Sequence, residues 1–259
     1  MWRQKTTVSE KRSQYPRSFS QSDAAGCKAG HIRTNPADPC DLPRAVRKDI
    51  HPLDNEAIAR FLKVARGHRY EAIYVLTLFT GLREGEVLGL LWDCVDLERG
   101  VIVVNKQLQK ERRGKGEYLL VTTKNGKSRQ ITAAPFVVDL LKKQRRLQES
   151  QKRLAGEAWE NSGLVFTNEM GHHLSAQTVY LQFKKLAGQA GFPSARFHDL
   201  RHSYAVASLQ SGDDIKTVQE NLGHHTAAFT LDVYGHVTEQ MRRSSADRMQ
   251  RFIESLPQE

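Results

Sequence analysis

FHDLRHSYA, residues 197–205, combines helical periodicity with a pair of cationic hydrogen-bond donors. No Pro or Gly interrupts the stretch, and its apolar positions Leu200 and Tyr204 lie four residues apart, as on one face of a helix. His198 and Arg201 are three apart and therefore share a face of that helix. A guanidinium offers a fixed fork of donors and an imidazole adds another, so this face suits a phosphate. A basic surface helix with one half-buried histidine would give the same pattern, and the stretch alone does not decide.

The composition indicates a globular protein with an excess of positive charge. The 259 residues include 39 Lys and Arg against 29 Asp and Glu, a net charge of +10, and 39% are hydrophobic, enough for a buried core. This excess points to a polyanion, most simply nucleic acid, although ribosomal and membrane-surface proteins are equally basic. No apolar run approaches the ~18 residues of a membrane span, and the polar N-terminus lacks a signal-peptide core. We therefore expect a cytoplasmic protein without a membrane partner.

The first fifty residues differ in character from the rest. Ten Lys and Arg against five Asp and Glu give them half of the net charge. Residues 1–30 lack apolar periodicity, which predicts a basic, disordered segment. Residues 31–50 contain three X-Pro pairs, which favour an extended linker. The apolar periodicity of residues 51–259 predicts one globular domain that ends in an amphipathic helix at 237–256. The three cysteines are scattered and odd in number, which suggests neither a disulfide framework nor a CxxC metal site.

Helical patterns dominate residues 51–259. Asp54 is placed to cap a helix that carries Phe61 on its apolar side. Glu71 to Thr80 predict a more buried helix that stops at Gly81. The other predicted helices are 83–91, 136–148 with an extension to 153, 176–190, 197–210, 214–222 and 226–234.

Strand patterns are fewer and shorter. Residues 101–104, 118–121 and 128–132 are rich in β-formers, and the last two are separated by a predicted tight turn at 124–127. Residues 164–166 predict a short buried strand, and 109–117 predict a polar loop. The expected fold class is therefore mainly α with an α+β core, in which helices enclose one small antiparallel sheet.

A second phosphate-binding pattern is Gly81-Leu82-Arg83-Glu84-Gly85-Glu86. It places Arg83 at the start of a helix, where the backbone already favours an anion. Glu86 is three residues further on and is suited to orient that cation. A surface arginine with an i,i+3 partner would look the same.

Three further residues have chemistry that suits phosphate transfer. Lys124 lies in a predicted turn, from which an ammonium can protonate a leaving oxygen, although solvated turn lysines are common. His224 follows a helix end at Gly223 and can donate to a phosphate oxygen. Tyr234 is a nucleophile only if activated, because its ordinary pKa is about 10, and core aromatics are common at such positions.

A zinc site is a competing explanation for the histidine pair. His198 and His202 are four residues apart, as in a zinc-protease helix, but the HExxH pattern requires Glu directly after the first His. Here the intervening residues are Asp-Leu-Arg, and an arginine would oppose the charge of the metal. We therefore predict no metal site.

The order of these motifs resembles the tyrosine recombinases, in particular the integrases of phages and conjugative transposons. The likeness covers residues 50–259 and extends to Asn35-Pro36-Ala37, which resembles the inter-domain linker of that family. The motifs that carry it are, in order, Thr80-Gly81-Leu82-Arg83-x-x-Glu86, Thr123-Lys124 with Ser128 and Arg129 nearby, His198-x-x-Arg201-His202, Leu222-Gly223-His224 and Tyr234-Gly235-His236.

The resemblance implies the DNA breaking-rejoining enzyme fold and a site-specific recombinase that cuts and rejoins DNA through a 3′-phosphotyrosine. No metal, nucleotide or other cofactor is implied. The implied roles are Tyr234 as nucleophile, Arg83 and Arg201 as phosphate clamp, His198 and His224 as donors or proton carriers, Lys124 as acid to the departing 5′ oxygen, and Glu86 as support. The implied partner is double-stranded DNA, contacted also by Arg112, Arg113, Lys127 and Arg129. A homotetramer on DNA, assembled through helix 237–256, is implied as well.

The length departs from the family's pattern. Integrases of this kind normally carry a helical core-binding domain before the linker, whereas only about thirty residues precede it here. A truncated gene product, a degenerate element and a naturally minimal form all fit this length, and we expect weaker, more salt-sensitive DNA binding. The alternatives are a catalytically weak or inactive DNA-binding remnant, a type IB topoisomerase-like activity and a metal-dependent nuclease.

Overall fold

The computed structural model describes residues 25–35, 51–111, 117–123, 126, 128–224 and 239–256. The chain divides into two units, Met1–Asp49 and Ile50–Glu259. In the first unit, residues 25–28 form one helical turn, within the segment for which the sequence predicted disorder. Residues 1–24 and 36–50, where the rest of the predicted arm and most of the predicted linker fall, lie outside the described residues.

The described part of the second unit is mainly helical, which confirms the predicted fold class. Two 3₁₀ turns, Trp92–Cys94 and Gly156–Ala158, accompany the helices. No described helix combines the length and the apolar character that a membrane span requires. The helices are α1 Asn55–Ala65, α2 Glu71–Thr80, α3 Glu84–Leu88, α4 Pro135–Ala155, α5 Ala176–Gln189, α6 Phe197–Ser211, α7 Ile215–Leu222 and α8 Glu239–Ser255.

Helix α2 lies at the centre of the core. Its sequence, EAIYVLTLFT, is apolar on all sides, and eight of its ten residues are buried. It packs against α3, α4 and α6. Tyr74 of α2 joins Phe61, Phe183 and Phe197 in an aromatic cluster whose contacting ring centroids are 5.5–6.0 Å apart. The most apolar helix therefore fixes α6, which carries the FHDLRHSYA stretch, to the centre of the domain.

The start of the domain is tied to α6 by polar contacts. Asp54 caps α1 as predicted, since its carboxylate accepts a 2.7 Å hydrogen bond from the Ala57 amide. The Leu53 amide donates to Ser203 Oγ at 2.8 Å, and that hydroxyl donates to the Asp199 carbonyl at 2.7 Å. The buried Ser203 thus joins residues 150 positions apart.

Helix α3 is shorter than the predicted 83–91 helix. It ends at Leu88, with Gly89 as its C-cap. The next residues turn away to meet a distant segment: Leu91 forms an isolated bridge with Leu164, and the Val165 amide donates to the Leu90 carbonyl at 2.8 Å. Residues 164–166, where the sequence predicted a short strand, are buried as expected. They form only this isolated bridge, which is too short to be a strand.

The strands are antiparallel, as predicted, but they form two sheets rather than one. The described strands are β1 Val95–Asp96, β2 Val101–Val104, β3 Lys106–Lys110, β4 Tyr118–Thr122 and β5 Arg129–Thr132. One sheet has the order β1-β2-β5, with Ile102 opposite Ile131, and the other pairs β3 with β4, with Leu108 opposite Leu120. The predicted hairpin between 118–121 and 128–132 is therefore wrong, since β4 and β5 pair with different partners.

Strand β3 was not predicted, and glycines of α3 explain its position. Gly85 and Gly89 are four apart on one face of α3 and its cap. A Cβ on Gly85 would lie 2.9 Å from the Leu108 carbonyl oxygen, and one on Gly89 would lie 2.5 Å from the Leu108 amide nitrogen. The backbone of β3 therefore packs directly against α3, which positions the β3–β4 ribbon beside the helix that Arg83 precedes.

Candidate active site

Three arginines from different elements converge on the C-terminal end of α7. Successive carbonyls at that end accept from them: Asn221 from Arg129 Nε at 2.7 Å, Leu222 from Arg201 Nη2 at 2.6 Å and Gly223 from Arg83 Nη2 at 3.4 Å. The last carbonyls of a helix have no partner within it and carry its negative dipole end. The end of α7 thus gathers cations that would otherwise repel one another.

Arg83 lies where the sequence predicted it, at the N-terminus of α3. Its amide donates to Glu86 Oε2 at 2.9 Å, and its Nη1 donates to Glu86 Oε1 at 2.7 Å. Arg83 remains 32% exposed, whereas Glu86 is 1% exposed. Burial would raise the pKa of Glu86, but hydrogen bonds and positive charge from Arg129 and Arg83 outweigh it and lower the pKa to about 2. Glu86 is therefore a permanent anion that orients Arg83 and leaves part of the guanidinium accessible.

Arg201 is the largest fully buried side chain in the part of the protein that the structure describes, at 2% exposed. Besides the Leu222 carbonyl, its guanidinium donates through Nη1 to the Gly81 carbonyl at 2.5 Å. Gly81 has φ +68°, and a Cβ there would lie 2.5 Å from the Tyr204 ring. Only glycine accommodates both the left-handed backbone and the close approach of α6. Arg201 thus links the end of α2 to the end of α7.

His198 and His202 lie one turn apart on α6, and their rings meet edge to face with centroids 4.7 Å apart. Although His198 is exposed on one side, loss of water around the rest of the ring, together with the charges of Arg201 and Arg83, lowers its pKa to about 4. Burial and the neighbouring His198 likewise lower the pKa of His202 to about 4. Both rings are therefore neutral near pH 7 and carry one donor and one acceptor nitrogen each. A bound phosphate would raise both pKa values.

His224 directly follows the Gly223 cap of α7. Its amide donates to the Gln219 carbonyl at 3.1 Å, and its carbonyl accepts from Gln219 Nε2 at 2.9 Å, so its backbone is fixed on both sides. Burial and the charges of Arg201 and Arg83 lower the pKa of His224 to about 3. The same cations therefore act on His224 and on His198, which places both imidazoles beside one positive cluster.

The arrangement is suited to an anion with several oxygens. Guanidinium groups supply charge and fixed donor forks, neutral imidazoles supply further donors, and the buried carboxylate of Glu86 is saturated by arginine contacts. Among the described residues, no three His, Cys, Asp or Glu side chains are grouped so as to hold a metal ion. Geometry and charge thus favour a phosphate group.

The predicted site residues fall into two sets. Arg83, Glu86, His198, Arg201 and His224 are brought together around the α7 end. Five other predicted residues lie outside the described residues: Lys124, Tyr234, Arg112, Arg113 and Lys127. The last predicted residue, Arg129, is described but has a different environment from the one expected.

Arg129 was predicted as a DNA contact. Its three guanidinium nitrogens donate to Glu86 and to the Asn221 carbonyl, and its side chain is only 11% exposed. Asp199 also has a role that the sequence interpretation missed. It accepts from the Arg196 amide at 2.8 Å and from Arg196 Nη2 at 3.0 Å, and so caps α6. The sequence signal for this cap is a carboxylate three residues after the residue that precedes the helix, here Asp199 after Arg196.

The sequence model of the phage integrase family matches residues 51–241. That span is well over half of the chain and includes every predicted catalytic position. The protein therefore belongs to the phage integrase family.

Curated relatives are tyrosine recombinases and integrases. A XerC-like tyrosine recombinase of Caldanaerobacter subterraneus subsp. tengcongensis is 30% identical over 215 residues, which cover 79% of this chain and 55% of the relative. Tyrosine recombinase XerC of Xylella fastidiosa is 31% identical over 81% of this chain and 64% of its own length. An integrase of Saccharopolyspora erythraea is 24% identical over 87% of this chain and 63% of its own. The chain thus spans between about half and two thirds of the length of these relatives.

Solved structures share the fold. The Tn1549 transposon integrase in complex with a circular intermediate DNA superposes with a TM-score of 0.72 at 22% identity, over 91% of this chain and 78% of that one. The XerA recombinase gives a TM-score of 0.58 at 20% identity, over 99% and 95%. Both likenesses agree with the predicted DNA breaking-rejoining fold.

Proposed function

We propose that this protein is a tyrosine-type site-specific recombinase that cuts and rejoins double-stranded DNA through a 3′-phosphotyrosine. One observation carries the proposal: Arg83, His198, Arg201 and His224 converge on one helix end, although more than 140 residues separate the first from the last. Family membership and the DNA-bound state of the Tn1549 integrase support the same partner and chemistry.

The anion site is suited to the charge that grows during phosphoryl transfer. In the proposed reaction, Arg83 and Arg201 face the non-bridging oxygens of the scissile phosphate, and the histidines donate to the same oxygens. Donors fixed in advance stabilise the transition state more than the ground state, because negative charge accumulates on those oxygens as the nucleophile attacks. Two guanidinium groups then provide the charge that a metal ion provides in other phosphoryl-transfer enzymes.

The proposed bond changes balance without an external energy source. The Tyr234 oxygen forms a bond to phosphorus and gives its proton to a neutral imidazole. The bond from phosphorus to the 5′ oxygen breaks, and that oxygen takes a proton from Lys124. Rejoining reverses these steps with a 5′-hydroxyl as nucleophile. The roles of Tyr234 and Lys124 are taken from the resemblance.

Trapping the covalent intermediate tests the proposal. The full chain would be incubated with nicked duplexes that carry candidate attachment sites, with and without EDTA, and the products would be resolved on denaturing gels. We expect a protein–DNA adduct that survives denaturant and that forms in equal yield with and without EDTA. DNA binding without an adduct would instead identify a catalytically inactive remnant. Relaxation of plasmid without sequence preference would identify a topoisomerase, and loss of cleavage in EDTA would identify a metal-dependent nuclease.

We also propose that α8 docks on a second copy of the chain when both are bound to DNA. Its apolar stripe is solvent-exposed: Met249, Phe252, Ile253 and Leu256 are 59%, 58%, 54% and 47% exposed. Arg248, which lies off this stripe, approaches the C-cap of α6, since a Cβ on Gly212 would lie 3.1 Å from Arg248 Nη1. An outward apolar stripe on a DNA-bound protein is suited to a neighbouring protomer.

Replacing Phe252 and Ile253 with Ser tests this docking. We expect the complex on DNA to shift from tetramer towards monomer in sedimentation velocity, because the stripe loses its two central apolar side chains. Replacement of Gln250 and Glu254 with Ser is the matched control. These residues are also exposed, but they hydrogen-bond to each other at 2.9 Å and lie off the stripe. A complex of unchanged size in the Phe252 and Ile253 variant would contradict the docking.

A further inference from the structure

Among the described residues, Arg129 makes the most extensive side-chain contact with the buried carboxylate of the site. Its Nη1 and Nη2 donate to Glu86 Oε1 and Oε2 at 3.0 and 2.6 Å, a bidentate pair. Its Nε donates to the Asn221 carbonyl at 2.7 Å. All three nitrogens thus engage protein groups, at 11% exposure. These contacts give Arg129 a role within the protein that does not depend on DNA.

The bidentate pair determines how much of the Glu86 charge acts on Arg83. Glu86 accepts four hydrogen bonds, of which two come from Arg129, one from the Arg83 guanidinium and one from the Arg83 amide. Arg83 already pairs with Glu86 at 2.7 Å, and without Arg129 it would be the main cationic partner left to this buried carboxylate, which would hold it more tightly. Arg129 therefore shares the negative charge of Glu86, which leaves Arg83 more available to an incoming anion.

The same side chain supports the segment that carries His224. A Cβ on Gly223 would lie 3.1 Å from both Cδ and Nη1 of Arg129, so the arginine passes directly against the α7 cap. Through the Asn221 carbonyl it also fixes the last turn of that helix. Arg129 thus links Arg83, through Glu86, to the position from which His224 projects.

We propose that Arg129 is a positioning residue, which holds Glu86 so that Arg83 stays available to the scissile phosphate and which fixes the α7 end beneath His224. This inference rests on the proposed recombinase function and adds a residue whose role is indirect. It predicts that substitutions at Arg129 slow the chemical step without removing a contact to DNA.

Substitution of Arg129 with Lys is the first test. Lysine keeps the charge but cannot span both Glu86 oxygens and the Asn221 carbonyl. We expect single-turnover cleavage at saturating DNA to slow by about tenfold or more, since small displacements of catalytic groups cost that much. We expect DNA affinity within about threefold of wild type and an unchanged salt dependence of binding, because no phosphate contact is lost. Rates are compared at a temperature where melting curves show each variant folded.

The effect of Glu86→Gln on the cleavage rate should change sign when Arg129 is removed. This change distinguishes a positioning role of Arg129 from general support of the fold. In the wild-type background, Glu86→Gln should slow cleavage, because Arg83 loses its anchor. In the Arg129→Ala background, Glu86→Gln should accelerate cleavage by about threefold or more, because it removes the uncompensated carboxylate that holds Arg83.

The outcomes also separate this inference from the proposed function. Three results would overturn the positioning role while wild-type protein still forms the adduct: cleavage by R129K within about twofold of wild type, a salt slope of binding that falls by about one, or slower cleavage in the double variant than in R129A. Absence of any wild-type adduct would overturn the proposed function and this inference together.

Discussion

Replacing Tyr234 with Phe is expected to abolish the covalent protein–DNA adduct on a nicked duplex and to leave DNA affinity within about twofold of wild type. The change removes one hydroxyl, which is the proposed nucleophile, and none of the cations that attract DNA. Adduct yield on denaturing gels and the dissociation constant from filter binding measure the two effects separately. An adduct of undiminished yield would show that the bond to phosphorus is made elsewhere.

Tyr204 provides the matched control for this substitution. It is a second tyrosine close to the site, where its ring approaches Gly81 and its hydroxyl accepts from Asn221 Nδ2 at 2.8 Å. Burial raises the pKa of Tyr204, which makes it a poorer nucleophile. We expect Tyr204→Phe to form the adduct within a few-fold of wild type. The reverse pattern, an adduct that persists in Tyr234→Phe and disappears in Tyr204→Phe, would assign the nucleophile to Tyr204.

Replacing Arg201 with Ala is expected to slow DNA cleavage by about a hundredfold or more, the usual effect of losing one donor to a developing oxyanion. The guanidinium is buried, so its charge acts through surroundings of low polarity, where electrostatic effects are strong. The same substitution removes the donor to the Gly81 and Leu222 carbonyls. We therefore also expect a lower melting temperature, because unsatisfied buried carbonyls cost roughly 1–3 kcal/mol each.

Two variants separate the lost charge from the lost stability. Arg201→Lys keeps the cation, but its single ammonium cannot bridge both carbonyls and face a phosphate. It should be more stable than the alanine variant and still slow in cleavage. Arg99→Ala removes an arginine that is 84% exposed and should leave cleavage unchanged. Cleavage within a few-fold of wild type in Arg201→Ala, at a temperature where it is folded, would argue against the phosphate clamp.

Local patterns predicted the features that depend on neighbours along the chain. The apolar run of α2 ends at Gly81 in both prediction and structure, because a buried helix and its left-handed cap are both evident in consecutive residues. The spacing of His198 and Arg201 placed them on one helix. The capping of α1 by Asp54 follows from the same kind of short-range signal. These predictions needed no knowledge of tertiary contacts.

Long-range packing decided what the sequence patterns missed. Strand β3, KQLQK, has no apolar alternation and is held by backbone contact with Gly85 and Gly89 of α3 and by pairing with β4. Strand pairing also followed tertiary contacts, so β5 joined β2 instead of forming a hairpin with β4. Arg129 was predicted to contact DNA, because nothing near it in sequence reveals its partner Glu86, 43 residues away.

The gathering of three arginines at the α7 end bears on how fast DNA would be cut. Carbonyls and Glu86 of the protein itself hold these cations in place, so an arriving phosphate need not organise them. Under the proposed function, the anion site is organised before DNA arrives, so the ordering of Arg83, Arg129 and Arg201 would not limit the rate of cleavage.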